Sequence, residues 1–325
     1  MTRTRKQIIA DNAISELYTF TLGGVPQKVL VEGKNKELPV VITLHGGPGS
    51  PIPFSVGCRG MFPEYTDRFI MVYWDQLGCG INDCKLKDKY AISNFVQMTN
   101  DLIAEIRKLF PKNRIILFGV SWGSVLALKC SRNADAVVVW GQILHSLFLN
   151  DIVYEALAEA GIPAGKLKKI KAVTTDNFTD SDMRLICNSI RKYTQGYINK
   201  NSKQAPIGSI IKGLLTSPDY SFRDFKAIMV NGTASSTRIW PELLKIDLTE
   251  ELAQIQVPYH ILQGDTDIVT PTEYAVRVIK NAENRRLSLR IAENSGHMPG
   301  EEGMRAVFDA LLCVAEEQEQ ELCQK

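Results

Sequence analysis

The sequence predicts an α/β fold, a mostly parallel central sheet flanked by helices with a helical cap inserted into it. Three observations predict this. Short β-branched and aromatic runs alternate with helical stretches. Several of those runs are apolar throughout, as strands buried on both faces are. Strand-like runs also occupy both ends of the chain, and the roughly ninety residues between them read as helical, too long for a structureless loop in a compact domain.

Taken in order, Ile14–Thr21 and Gln27–Val31 flank Gly23-Gly24 and read as an antiparallel hairpin. Pro39–Leu44, Phe69–Trp74, Arg114–Phe118 and Ala136–Trp140 read as buried strands. Between the second and third, Phe95, Met98, Leu102, Ile106 and Phe110 recur at helical spacing and predict a helix over Asn94–Phe110. From Asn150 to Trp240 the chain reads as helical, with polar breaks at Thr174–Asp182 and Tyr197–Pro206. Strands return at Pro258–Gln263 and Leu287–Ile291, followed by a helix from Glu301 to Glu321 with a solvated Glu/Gln-rich end over Ala315–Lys325. The expected division is a core over 1–149, a cap over 150–240 and the rest of the core over 241–325.

Composition narrows the function. Of 325 residues, 45% are hydrophobic and 23% charged, which excludes wholesale disorder. A formal net charge of +2 gives no reason to expect nucleic acid or an anionic membrane as partner. The first residues lack the apolar stretch of a secretory signal, and no run is long enough to span a membrane. Seven cysteines in no zinc-ligand pattern read as free thiols in a reducing compartment, so a cytoplasmic protein is expected.

The sharpest chemical signal is Gly119-Val-Ser121-Trp-Gly123, between a strand and the helix expected over Trp122–Ser131. A strand-to-helix turn this tight leaves no room for side chains two residues either side of the nucleophile, hence the glycines. A serine hydroxyl at its ordinary pKa is a poor nucleophile and needs a base and an orienting group. Of four histidines, His297 lies in Glu293-Asn-Ser-Gly-His-Met-Pro, past the last strand, where a general base belongs. Ile261-Leu-Gln-Gly-Asp-Thr-Asp offers Asp265 and Asp267, of which Asp267, further around the turn, is the expected orienter. His45 ends a strand beside a glycine-rich loop and reads as structural, and His260 reads as a hydrogen-bonded core residue.

A tetrahedral oxyanion needs two backbone N–H donors in a dry site. Trp122 is expected to supply one, and Gly47 or Gly46, in His45-Gly-Gly-Pro-Gly49, the other. Asp75-Gln-Leu-Gly-Cys-Gly80 leaves a strand beside this loop and is expected to brace the site.

Together, His45-Gly-Gly-Pro-Gly49, Tyr73-Trp-Asp-Gln76, Gly119–Ser124, Gly264–Asp267 and Gly296-His297 resemble the proline iminopeptidase (prolyl aminopeptidase) branch of the α/β-hydrolases. The resemblance covers about Leu22–Asn150 and Val257–Leu312. It implies Ser121 as nucleophile, His297 as base and Asp267 as orienter in the order Ser–Asp–His, with no metal or organic cofactor. Two departures stand out. Leu77 and Asn82 replace the Arg and Ser of the family's Asp-Gln-Arg-Gly-x-Gly-x-Ser loop, and the Trp-Glu pair typical of its amine-binding cap is missing, Trp240 being followed by Pro241 and Glu242. Residues 151–240 hold 13 Lys and Arg against 8 Asp and Glu. Glu155 and Glu159 are the candidates for reading a substrate amine, and His145 is a further candidate for substrate contact.

The expected function is a serine hydrolase working by acyl transfer on a small ester, amide or lactone. The alternative is an aminopeptidase removing the first residue of short peptides, and the third reading is a ligand-binding protein on a hydrolase fold. No exposed stripe identifies an oligomeric interface.

Overall fold

A computed structural model describes residues 4–86, 90–204, 207–231 and 239–316. Its centre is an eight-stranded sheet: β1 (Ile14–Leu22), β2 (Val25–Gly33), β3 (Val40–Leu44), β4 (Ile70–Tyr73), β5 (Ile115–Val120), β6 (Ala136–Trp140), β7 (Tyr259–Gly264) and β8 (Leu287–Ala292), in the order β1-β2-β4-β3-β5-β6-β7-β8. The first two pairings are antiparallel and the rest parallel. This is the α/β-hydrolase fold. Every residue of β3, β4 and β6 is buried, as their unbroken apolar runs require. The hairpin turns through Gly23 and Gly24, both at positive φ (58° and 77°), the geometry of a two-residue connection matched to strand twist.

Helices cover both faces. On one side, helix Ile92–Leu109 buries Phe95, Met98, Leu102 and Ile106 against the sheet, beside helix Trp122–Cys130, buried at every residue but Lys129. On the other, helix Glu301–Ala315 packs Ala306, Val307 and Leu311 against Phe118, Val138 and Trp140. Helix Thr272–Ala282 links the last two strands and was not foreseen, although Ala275 and Val278 keep helical spacing. The helix from Glu301 ends at Ala315; the expected Glu/Gln-rich end lies mostly outside the described residues.

The chain between β6 and β7 is helical over Asp151–Glu159, Ala164–Lys171, Asp180–Tyr193, Ile207–Leu215, Phe222–Lys226, Trp240–Leu243 and Thr249–Ala253. Thr179 with Asp182, and Ser221 with Asp224, form capping boxes that start two of them. Among the described residues no helix is long and apolar enough to cross a membrane. Cys58, Cys79, Cys84, Cys130 and Cys187 are free thiols. Cys313 is disulfide-bonded, which corrects the expectation of free thiols throughout.

Candidate active site

Parallel strands bring their carboxyl ends to one edge, and the loops after β5, β7 and β8 carry Ser121, Asp267 and His297 there. Ser121 sits at φ 51°, ψ −115°, a region that a residue with a side chain occupies only when its surroundings enforce it. The enforcement is visible at its neighbours. A Cβ on Gly119 would lie 2.6 Å from the Gly123 carbonyl oxygen, and one on Gly123 would overlap that of Leu44. Both glycines are therefore demanded by close packing of backbone on backbone.

The Ser121 hydroxyl donates to His297 Nε2 at 2.9 Å, and His297 Nδ1 donates to Asp267 Oδ2 at 2.9 Å. These assignments follow from Asp267, which faces donors only, so the imidazole proton belongs on Nδ1 and Nε2 is left to accept. Asp267 Oδ1 accepts from the Val269 and Thr270 backbone at 2.8 and 3.0 Å, and Oδ2 accepts from Thr270 Oγ1 at 2.8 Å and Gln263 Nε2 at 3.1 Å. At 2% and 7% exposure, Asp267 and His297 are sheltered from water, which strengthens each of these bonds. Asp265, the alternative, accepts from the Asn294 and Ser295 backbone, both at 2.9 Å, and so shapes the loop carrying His297. Gly264 allows that loop to close, since a Cβ there would overlap the Ser295 carbonyl.

The glycine-rich loop after β3 lies against the serine turn. A Cβ on Gly46 would stand 3.2 Å from the Val120 oxygen and 3.5 Å from Ser121 Cβ, and Gly47 holds a positive φ of 111°. His45 anchors the loop: its Nδ1 donates to the Gly46 carbonyl at 2.9 Å, and its Nε2 accepts from the Gln76 backbone at 3.0 Å. Burial lowers its pKa to about 4 and keeps it neutral. Gln76 also donates to the His45 carbonyl at 3.3 Å and accepts from Trp122 Nε1 at 2.8 Å, joining both sides of the expected oxyanion site. Next to it, Asp75 accepts from the Val56 and Ile81 backbone and from the Tyr220 hydroxyl. Desolvation raises its pKa to about 6. The two departures from the family loop both have structural roles. Leu77 joins the core, and Asn82 donates to the Lys28 and Asp75 carbonyls at 2.9 and 2.7 Å.

Of the three residues expected to contact substrate, the two glutamates face solvent and His145 lines a small cavity with Thr270. Helix Asp151–Glu159 buries Val153 and Leu157, and Glu155, midway between them, faces the opposite side; Glu155 and Glu159 are both exposed. The His145 ring stacks on Tyr274, centres 4.4 Å apart, and borders a groove of about 620 Å³ shared with Lys245, Asp247 and Glu250. Glu242, beside Trp240, accepts from the Ile92 backbone at 2.9 Å and caps helix Ile92–Leu109.

Sequence reasoning missed Gln263, Thr270 and a strap from the helical segment. The backbone of His297 donates to the Gly196 carbonyl at 3.0 Å and that of Met298 to the Tyr197 carbonyl at 2.9 Å, while Thr266 Oγ1 donates to the Gln195 carbonyl at 3.1 Å. Among the described residues no group of three or more His, Cys, Asp or Glu side chains could hold a metal ion.

A family model described as serine aminopeptidase, S33, matches residues 66–303. The chain belongs to this family. It is an α/β-hydrolase-type serine hydrolase, similar to proline iminopeptidases. It is 23% identical over 299 residues to a probable aminopeptidase, YbaC, of Bacillus subtilis, covering 88% of this chain and 92% of the relative. It is 25% identical over 266 residues to the proline iminopeptidase of Heyndrickxia coagulans, covering 80% and 84%. Among solved structures, VinJ superposes with a TM-score of 0.63 at 19% identity, covering 93% of this chain and 99% of that one. The proline iminopeptidase of Mycobacterium smegmatis gives 0.60 at 13%, covering 93% and 98%.

Proposed function

We propose that this serine hydrolase cleaves a small ester, amide or lactone through an acyl-enzyme, with Ser121 as nucleophile, His297 as general base and acid, and Asp267 as the group that orients the imidazole. The observation that carries the reading is the continuous chain Ser121–His297–Asp267, each link 2.9 Å long. His297 takes the hydroxyl proton as Ser121 attacks the acyl carbon. The backbone N–H of Trp122 and that of Gly47 or Gly46 stabilise the resulting oxyanion. The proton passes to the leaving group, and water activated by the same imidazole releases the acid. In this reading residues 150–240 form a cap over a core made of 1–149 and 241–325, and the protein works in the cytoplasm on small molecules or short peptides.

A second reading, removal of the first residue of short peptides, is favoured by the proline iminopeptidases among the relatives. Against it stand Glu155 and Glu159, turned to solvent, and Glu242, engaged as a helix cap. Initial rates on prolyl and alanyl arylamides, their N-acetylated twins and aryl esters of graded acyl length decide between the two, with Ser121→Ala as blank. Ester turnover indifferent to the amine supports the first reading. Cleavage confined to free-amine arylamides overturns it in favour of the second.

A further inference from the structure

The imidazole of His297 meets two oxygens at Nδ1, a carboxylate and a hydroxyl. Its main chain is fixed first: the His297 N–H donates to the Gly196 carbonyl at 3.0 Å, and the His297 carbonyl accepts from Trp140 Nε1 at 2.8 Å. What remains free is rotation of the ring about its side-chain bonds. At Nδ1 stand Asp267 Oδ2 at 2.9 Å and Thr270 Oγ1 at 3.3 Å, and these two oxygens lie 2.8 Å from each other. Thr270, at 3% exposure, is itself held in place. Its backbone N–H donates to Asp267 Oδ1 at 3.0 Å, its carbonyl accepts from Gln263 Nε2, and a β-branched side chain is stiff about its first torsion. Gly141 borders the same space, since a Cβ on it would lie 3.2 Å from His297 Cε1 and 3.3 Å from both His297 Nδ1 and Thr270 Oγ1.

We infer that Thr270 is a positioning residue that acts directly on the base: its hydroxyl accepts from His297 Nδ1 beside Asp267 and keeps the imidazole in the tautomer whose Nε2 is free to take the Ser121 proton. This deepens the serine hydrolase reading above and rests on it. Donors and acceptors balance. A hydroxyl has one proton and two lone pairs. The Thr270 proton goes to Asp267 Oδ2, and one lone pair accepts from Gln263 Nε2 at 3.1 Å. The second lone pair faces the Nδ1 proton, which is shared between a near charged acceptor and a further neutral one as a three-centre bond. The consequence is orientation. A ring held by one acceptor pivots about that bond, whereas two acceptors side by side oppose the pivot. Resistance to pivoting matters here because Nε2 must stay on target as it takes a proton from Ser121, returns it to the leaving group and then activates water. The buried setting strengthens both bonds to Nδ1.

The test is a double-mutant cycle, because a threonine acting only through Asp267 has no effect once that carboxylate is gone. Aryl-ester kcat and KM are measured for wild type, Thr270→Val, Thr270→Ala and Thr270→Ser. The rate at which a fluorophosphonate labels Ser121 is measured for Asp267→Ala with and without Thr270→Val, with Ser121→Ala as blank. Thr270→Ala takes the place of the valine variant in the cycle if the latter does not fold. The expected result is a fall of about tenfold in kcat for Thr270→Val and Thr270→Ala with KM within about twofold, since the hydroxyl takes more than one hydrogen bond with it. Thr270→Ser, which keeps the hydroxyl, stays near wild type. In Asp267→Ala, labelling remains faster than the blank, and removing the Thr270 hydroxyl slows it by about fivefold more, the size of one neutral hydrogen bond. No further slowing there, or labelling in Asp267→Ala no faster than the blank, overturns the inference, because the base then depends on Asp267 alone. A Thr270→Ser variant as slow as Thr270→Val overturns it too, by making the loss one of packing. Ester turnover that persists in Ser121→Ala sinks the parent reading, whereas Ser121-dependent turnover untouched by Thr270→Val sinks the positioning role alone.

Discussion

The edge of the sheet packs its glycines tightly, whereas the helical segment between β6 and β7 packs some and leaves others open. At the sheet edge, Gly119, Gly123 and Gly264 are pressed so tightly against carbonyl groups that a single Cβ has no room. In the helical segment, Gly161, Gly165 and Gly208 have nothing within 4 Å of the position a Cβ would take, whereas a Cβ on Gly196 or Gly213 would lie 2.3 Å from the Ile268 or Met61 side chain. Large apolar side chains lie exposed in both regions, Leu215, Phe222 and Met229 in the helical segment and Leu109, Val276 and Ile291 outside it, with Phe222 the most exposed at 76%. The sheet edge fixes reacting atoms through backbone packing that tolerates no change. Part of the helical segment is loosely constrained, while its strap at Gly196 and Tyr197 is tied to the loop that carries His297.

Changes at the sheet edge are therefore expected to have the largest effects. Ser121→Ala should lower kcat/KM by about 10⁴-fold or more while leaving the thermal midpoint nearly unchanged; comparable turnover in the variant would remove chemistry from the sheet edge. Gly123→Ala sets a methyl against the Leu44 carbonyl and should cost about 3 kcal/mol or more in urea unfolding. A loss below about 1 kcal/mol would mean that this edge is as pliant as the helical segment. Gln263→Leu removes one donor to Asp267 and should lower kcat/KM by roughly 10- to 100-fold, with a smaller loss of stability. Unchanged kinetics would show that Thr270 and the backbone suffice.

Titration sharpens the contrast. Desolvation raises the pKa of Glu32, buried on β2, to about 7, although Gly60 and Asn12 donate to it. A carboxyl with a raised folded-state pKa contributes stability that is complete below its unfolded value of 4.5 and is lost as pH rises through about 7. Glu32→Gln should therefore gain stability relative to wild type between pH 5 and pH 8, measured by urea midpoints at each pH. A difference independent of pH would contradict the burial. The smallest effect is expected in the helical segment, where Gly165→Ala, in helix Ala164–Lys171, should raise stability by about 0.5–1 kcal/mol through helix propensity. Destabilisation there would erase the distinction between the two regions.

Much of this was legible from local patterns. The unbroken apolar runs of β3, β4 and β6 announced buried strands, and the helical stripe from Phe95 to Ile106 announced a helix. The glycines around Ser121 marked a turn whose sterics lie within five residues. Asp267 and His297 were nameable because each follows a strand, and parallel strands bring such loops to one edge. Which way Glu155 and Glu159 face was not legible, because charge and i, i+4 spacing say nothing about which way a helix turns; the packing of Val153 and Leu157 decides that.

The sequence by itself determined the sheet, the turn at Ser121 and the order in which Ser121, Asp267 and His297 follow their strands, since these depend on steric rules acting between near neighbours. Only the tertiary structure decided what surrounds them. Ser121 and His297 are 176 residues apart, the Tyr220 bond to Asp75 joins residues 145 apart, and the strap at Gly196 and Tyr197 meets a loop a hundred positions later. Such contacts are chosen by how whole faces bury against one another, and a one-dimensional pattern does not carry that choice.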